Sequence, residues 1–291
     1  MVQAADLPAL VDLVGECRRS APRAVLLHRG DVQWQLALMR DWEGDVHMWE
    51  DGVGGAALAI SDSTTGEVLW LAHARAPWLG AAALTWALDH LRSEGVATAH
   101  AAVPDADATA TGDLEASGFV RGEQHFVELR RDLEMEPPAP APPPGFELAT
   151  LATAGSAEAF VELHRDAWAR WGPSSYSIDA HRRLEAMPGY DPALVPVAVA
   201  PDGRLACSCV CWLDAATLVG EIEPLGTGRA FERLGLGRAI VLEACRLMRA
   251  RGMRTAYVSG ASVNAPALAM YASAGFQRGR RTSTWTCRLN G

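Results

Sequence analysis

The sequence contains no lysine: all 26 basic residues among its 291 are arginine. The chain therefore offers no lysine amine of its own to an acylating reagent. Long apolar runs are missing too. Nothing approaches the roughly 20 consecutive apolar residues that span a bilayer, and the N-terminus lacks the basic region and apolar core of a secretion signal. A cytoplasmic protein with no membrane partner is expected. Cysteine spacing of the metal-binding kind is absent as well. The six cysteines, at 17, 207, 209, 211, 245 and 287, include no Cys-x-x-Cys pair, the usual way two thiolates converge on one ion. Cys207, Cys209 and Cys211 alternate along a strand pattern, so they face one side as small core residues, and no metal is expected. No basic stripe is present, which argues against a nucleic-acid partner.

What is there is enough for two ordinary domains, with 49% hydrophobic and 21% charged residues, as in soluble globular proteins. The net charge of −9 is unevenly placed. Residues 1–144 carry 10 Arg against 22 Asp and Glu, whereas residues 145–291 carry 16 against 13. Only the second part is basic, which suits an anionic ligand there. Between the parts, residues 135–144 are proline-rich and read as a short extended linker, separating domains at 1–134 and 145–291.

The most informative stretch is Arg233-Leu-Gly-Leu-Gly-Arg238, which leaves an apolar run at 217–227 and enters a helical pattern at 236–251. Glycines in a strand-to-helix turn let backbone approach a ligand closely. The unpaired amides of the first helical turn, at the positive end of the helix dipole, then make an anion site. Downstream lies Asn264-x-x-Ala267-x-x-x-Tyr271-x-x-x-Gly275-Phe276. Asn264 and Tyr271, seven residues apart, share a helix face, and Gly275 ends the helix. The glycine pair lacks the third glycine of a dinucleotide-binding fingerprint.

The remaining elements of the second part read as a strand at 146–151, a helix at 159–171 after an N-cap at Ser156, and a second helix at 178–187. A hairpin at 195–200 and 205–213 turns at Asp202-Gly203. A strand at 255–259, a helix at 265–274 and a strand at 281–289 complete the order. Antiparallel strands followed by helix-linked ones predict a mixed α+β sheet.

Shifting residues 75–119 onto 232–276 requires no gap and gives 12 identities in 45, including Leu79/Leu236, Gly80/Gly237, Gly95/Gly252 and Gly118-Phe119/Gly275-Phe276. The parts read as duplicated copies. The first copy has lost the key positions: Trp78 stands for Gly235, Asp107 for Asn264 and Leu114 for Tyr271. An indole in the turn obstructs a phosphate, and an aspartate repels it.

The two motifs together resemble the GNAT superfamily of acyl-CoA-dependent N-acetyltransferases, in a tandem layout similar to the mycothiol synthase type, whose acceptor is a cysteinyl amine on a sugar conjugate. The second motif matches throughout. In the first, Glu232 holds the position usually given to Arg or Gln. The resemblance implies two tandem GNAT-like domains, each a mixed, mostly antiparallel sheet flanked by helices, with a degenerate first copy. It implies acetyl-CoA held by Arg233, Leu234, Gly235, Leu236, Gly237 and Arg238 at the pyrophosphate, and by Leu225, Gly226, Thr227 and Asn264 along the pantetheine arm. Glu221 is then the general base, with Glu223 on the same face as the alternative base, and Tyr271 the general acid for the departing thiolate. A phenol is protonated at neutral pH and can donate to sulfur. The segment bearing Trp168, Trp171 and Tyr176 lines the acceptor cleft in such relatives, so these three and Glu223 are the candidate substrate contacts. The expected reaction is direct acetyl transfer to a small-molecule primary amine, by a monomer or homodimer. The alternative is an acyl-CoA-responsive binding or scaffold protein without turnover.

Overall fold

The computed structural model describes residues 2–20, 27–172 and 174–289. The first half runs α1 (Leu7–Ser20), α2 (Arg29–Leu38), β1 (Val46–Asp51), β2 (Gly54–Ser61), β3 (Glu67–Ala72), α3 (Leu79–Ser93), β4 (Thr98–Pro104), α4 (Ala108–Ala116) and β5 (Val120–Asp132). The second runs β6 (Glu147–Thr150), α5 (Ala157–Trp168), α6 (Ile178–Glu185), β7 (Pro196–Val199), β8 (Leu205–Asp214), β9 (Val219–Thr227), α7 (Leu236–Ala250), β10 (Thr255–Ala261), α8 (Ala265–Ser273) and β11 (Gln277–Arg288). Among the described residues, no helix is long and apolar enough to cross a membrane.

The duplication read from the sequence reappears element by element. Helix α3 starts at Leu79 and α7 at Leu236, β4 at Thr98 and β10 at Thr255, α4 at Ala108 and α8 at Ala265. Each start is displaced by the same interval as the sequence match. The caps correspond as well: the Asp107 carboxylate accepts from the Ala110 amide at 3.0 Å, and the Asn264 side-chain oxygen from the Ala267 amide at 3.3 Å.

One feature of the sheet goes beyond the expected pair of domains. The order is β1-β2-β3-β4-β11-β5-β10-β9-β8-β7-β6, a single eleven-stranded sheet. The last strands are exchanged: β5 of the first half pairs antiparallel with β10 of the second, and β11 of the second pairs antiparallel with β4 of the first. Strands β5 and β11 also pair with each other. Each copy thereby closes the other's open edge, removing two unpaired strand edges from solvent.

The parallel pairs are short in both halves. Strand β3 meets β4 at Glu67/His100 and Val68/Ala101, and β9 meets β10 from Val219/Thr255 to Glu221/Tyr257, after which each pair diverges. A bulge in β9 opposite Cys209 and Cys211 adds to the divergence. The walls of each gap carry backbone groups with no partner strand.

Two cores hold the second half. Helix α7 buries Leu236, Ile240, Leu242, Cys245 and Met248 against Cys207, Cys209 and Cys211 of β8. These cysteines are buried free thiols, and burial pushes Cys207 and Cys245 up to about 12. On the opposite side, Leu10 and Val14 of α1 and Trp34 and Leu36 of α2 share one core with Phe160, Leu184 and Trp212 of the second half. Burial of each such large side chain contributes about 1.5–3 kcal/mol. Polar contacts fix α2 in place: Arg183 donates to the Ala37 carbonyl at 3.0 Å, and the Gly189 amide to Gln33 at 2.7 Å.

Candidate active site

The turn between β9 and α7 leaves an uncapped helix start facing open space. Gly235 is the residue before the helix, at φ +88°, and no side chain caps it. A Cβ at this position would meet nothing within 4 Å, so the glycine answers to its left-handed backbone and leaves open space in front of the first helical amides. Glu232 turns away from this space and forms an ion pair with Arg170 just beyond α5. Arg229 is paired with Asp166 at 2.8 Å, and Arg238 donates to the Ser273 carbonyl at the end of α8. Arg233 and Leu234 are exposed. The first half has no such turn. Trp78 occupies the corresponding position with φ −65° and is 71% exposed.

The gap between β9 and β10 leads from this turn to the predicted chemistry. Leu225, Gly226 and Thr227 edge it past the last paired residues. A Cβ on Gly226 would fall 2.3 Å from the Trp168 ring, so Trp168, stacked on His164 at 4.2 Å, backs the strand. Tyr271 is buried, with its ring 5.6 Å from that of Phe276. Burial, then the neighbouring Glu223, pushes its phenol upward, keeping it protonated at neutral pH. Asn264 uses its side-chain oxygen to cap α8.

Where β9 and β10 part, carboxyl groups from both halves meet. Glu221 is 1% exposed, and its Oε2 lies 2.9 Å from Nδ1 of His28, the residue capping α2. That imidazole is fully enclosed: Nε2 donates to the Val219 carbonyl at 3.2 Å and Nδ1 accepts from the Gly30 amide at 3.0 Å. Burial lowers its pKa, so the ring is neutral with its proton on Nε2. Burial raises Glu221 to about 7, held down in part by Arg18. Asp31 accepts from the His28 amide at 2.6 Å, and burial and Glu221 push it well above the carboxylate range. Glu223 is raised too, by burial and by the charges of Glu221 and Asp31.

A cavity of about 490 Å³ runs beneath α2 across the exchanged strands. It is lined by Asp31 and Trp34 of α2, Glu67 and Trp70 of β3, and Asp107 and Asp113 in and before α4, and it reaches Glu223, Tyr257 and Ser259 of the second half.

Comparison with known proteins gives this geometry a family. The Acetyltransferase (GNAT) family profile matches residues 157–276. A protein of Nocardioides sp. named mycothiol acetyltransferase is 31% identical over 292 residues, which cover 94% of each chain. The chain belongs to the GNAT acetyltransferases. A mycothiol acetyltransferase of Kineococcus radiotolerans is 36% identical over 104 residues, a match covering 35% of this chain and 33% of that protein. Two solved structures share the fold along the whole length. A GCN5-related N-acetyltransferase from Sphaerobacter thermophilus has a TM-score of 0.67 at 21% identity, covering 100% of this chain and 95% of that one. A tandem GNAT protein from the clavulanic acid biosynthesis pathway has 0.69 at 19% identity, covering 99% and 96%. The α+β tandem GNAT architecture expected from the motifs is the one observed.

Within this GNAT acetyltransferase, the predicted residues do not all converge. Glu223 lines the cavity; Glu221, on the same strand, lies sealed behind it. Of the three aromatics assigned to acceptor binding, none lines the cavity. Tyr176 is 1% exposed, its hydroxyl 2.8 Å from His181 Nδ1 and its ring 5.3 Å from Trp34, so it braces the cavity wall from behind. Trp171 is 62% exposed. The aromatic wall is made instead by Trp34, Trp70, Phe126 and Tyr257. His28 and Asp31 were not anticipated. The one sequence signal for them is a capping-box spacing at the start of α2, His28-x-x-Asp31, which by itself marks only a helix start.

Proposed function

We propose that this chain transfers the acetyl group of acetyl-CoA directly to a small primary amine that binds in the cavity beneath α2. The observation carrying this reading is that one cavity, whose charged walls among the described residues are all acidic, ends at the point where β9 and β10 part, beside Glu223 and Tyr257. Its charged lining residues are Asp31, Glu67, Asp107, Asp113 and Glu223. Such walls offer carboxyl acceptors to an amine and no cation to the phosphates of CoA, and Trp34 and Trp70 add faces on which a cation or an apolar stem can rest.

Acetyl-CoA supplies the activated thioester when bound. The turn at Gly235 with the amides of Leu236, Gly237 and Arg238 suits its pyrophosphate, and Leu225–Thr227 with the Asn264 amide suit the pantetheine arm. Glu221, as general base, keeps the attacking amine neutral. Tyr271 donates a proton to the sulfur as the C–S bond breaks. The relatives' name points to an acceptor of the mycothiol type, so a cysteinyl amine on a sugar conjugate heads the amines to test. Calorimetry with acetyl-CoA, followed by thiol release measured over a panel of primary amines, tests the reading. Binding with acceptor-dependent release is expected. Binding with no release from any amine would refute it.

A further inference from the structure

The base assigned by family resemblance cannot touch the substrate directly. Glu221 is 1% exposed and does not line the cavity. Among the described residues, two groups packed against it bear on where its proton goes. One is His28, whose ring is 0% exposed and whose far nitrogen already donates to the Val219 carbonyl. That route ends on backbone. The other is Asp31, which follows Gly30 in the turn of α2 seated directly on Glu221, acts on Glu221 through its charge and lines the cavity. Glu223 also lines the cavity, but it sits two residues along the same strand β9 rather than on the helix turn packed against Glu221.

Building on the acetyl-transfer reading, we propose that Asp31, a residue of the degenerate first half, is the cavity-facing end of the base: it takes a proton from the acceptor amine and exchanges it with Glu221. The balance is simple. Of the three ammonium protons, one passes to the Asp31–Glu221 pair and returns to solvent through the cavity. A second replaces the proton that Tyr271 gives to sulfur as the C–N bond forms and the C–S bond breaks. The third stays on the amide.

The local construction serves this role. Asp31 is anchored by the His28 amide at 2.6 Å, and α2 is seated so closely that a Cβ on Gly30 would fall 2.4 Å from Glu221 Oε2. The titratable and charged groups facing the pair are Arg18 from α1, His28 at the cap of α2, Glu67 from β3, Glu223 from β9 and Tyr257 from β10. Burial pushes both carboxyls towards the protonated form, which suits a pair that must take a proton and release it again. The first half thus completes a site that the second half lacks alone.

The test compares Asp31→Asn and Asp31→Glu in the full chain, measuring kcat against pH, the acetyl-CoA Kd by calorimetry, and thermal unfolding. Asn keeps the shape and still accepts from the His28 amide, but it cannot take a proton. Glu keeps the carboxyl in a tight space. A relay predicts Glu to be more active than Asn, with Asn lowering kcat by roughly 10²–10⁴-fold at unchanged acetyl-CoA affinity. The residual Asn rate should climb about tenfold per pH unit towards the pKa of the free amine, because solution ionisation then supplies the neutral nucleophile. A packing role predicts the reverse order, since Asn is the isostere. Asn more active than Glu, or an Asn profile matching wild type within about twofold, overturns the proposal alone. A wild-type chain that binds acetyl-CoA and acetylates no amine overturns the parent reading and this one together.

Discussion

Gly30→Ala puts the seating of α2 to a quantitative test. Gly30 lies in the first turn of α2 and is not among the glycines at positive φ. The backbone therefore accepts alanine, and helix propensity alone would favour Ala by up to about 1 kcal/mol. Packing opposes it. The added Cβ would sit 2.4 Å from both Glu221 Oε2 and Trp212 Cγ, about 1 Å inside ordinary carbon contact distance. Trp212 is fully buried and its indole nitrogen donates to the Glu223 carbonyl at 2.6 Å, so the ring has no room to yield, and α2 must lift by roughly the overlap. Overpacking of this kind costs about 1–3 kcal/mol. The sum is a net destabilisation of about 0–2 kcal/mol, or a fall in Tm of at most a few degrees for a chain of this size. The effect on turnover should be larger, because a displacement of about 1 Å at reacting groups can cost 10²-fold. Differential scanning calorimetry and steady-state kinetics on the same preparation separate the two quantities. A variant with raised Tm and unaltered kcat would show that α2 is not seated on the base, and the account of the first half's role would fail.

Tyr271→Phe removes one hydroxyl from a buried ring and should leave acetyl-CoA affinity unaltered while lowering kcat by roughly 10²–10⁴-fold; near-normal turnover would return this tyrosine to a packing role. Gly235→Trp reproduces what the first half carries at Trp78 and should abolish acetyl-CoA binding, while the unaltered chain binds one equivalent by calorimetry; two equivalents would mean the first turn is not degenerate. With Glu221 raised to about 7, the rate of the unaltered enzyme should rise as pH increases through 7, and a rate flat from pH 5 to 9 would count against this base. The same shift has a stability consequence: the folded state holds the Glu221 proton above the pH at which the unfolded chain has lost it, so its contribution is present at low pH and is lost as pH rises through about 7. Glu221→Gln, which mimics the protonated form, should therefore raise Tm more at pH 8.5 than at pH 5, as read by thermal melts.

The local signals in this chain are strong where the chemistry is local. Gly235 marks the turn because its positive φ disfavours any side chain. Asn264 and Tyr271 fall on one helix because of their spacing, and the fixed offset between the copies predicts α3, β4 and α4 from α7, β10 and α8. The loss of Gly235's counterpart at Trp78 is equally legible, because one side chain decides whether the turn stays open. Three things depended on tertiary structure. The exchange of β5 and β11 joins residues far apart in the chain, and both strands read the same whichever sheet they complete. The burial of Glu221 and the exposure of Glu223 to the cavity follow from α2 lying across β9, which alternation along the strand cannot reveal. His28 and Asp31 carry only a helix-start pattern. Their setting comes from the first half's α2 packing them against a carboxylate of the second, where desolvation rather than sequence shifts their protonation.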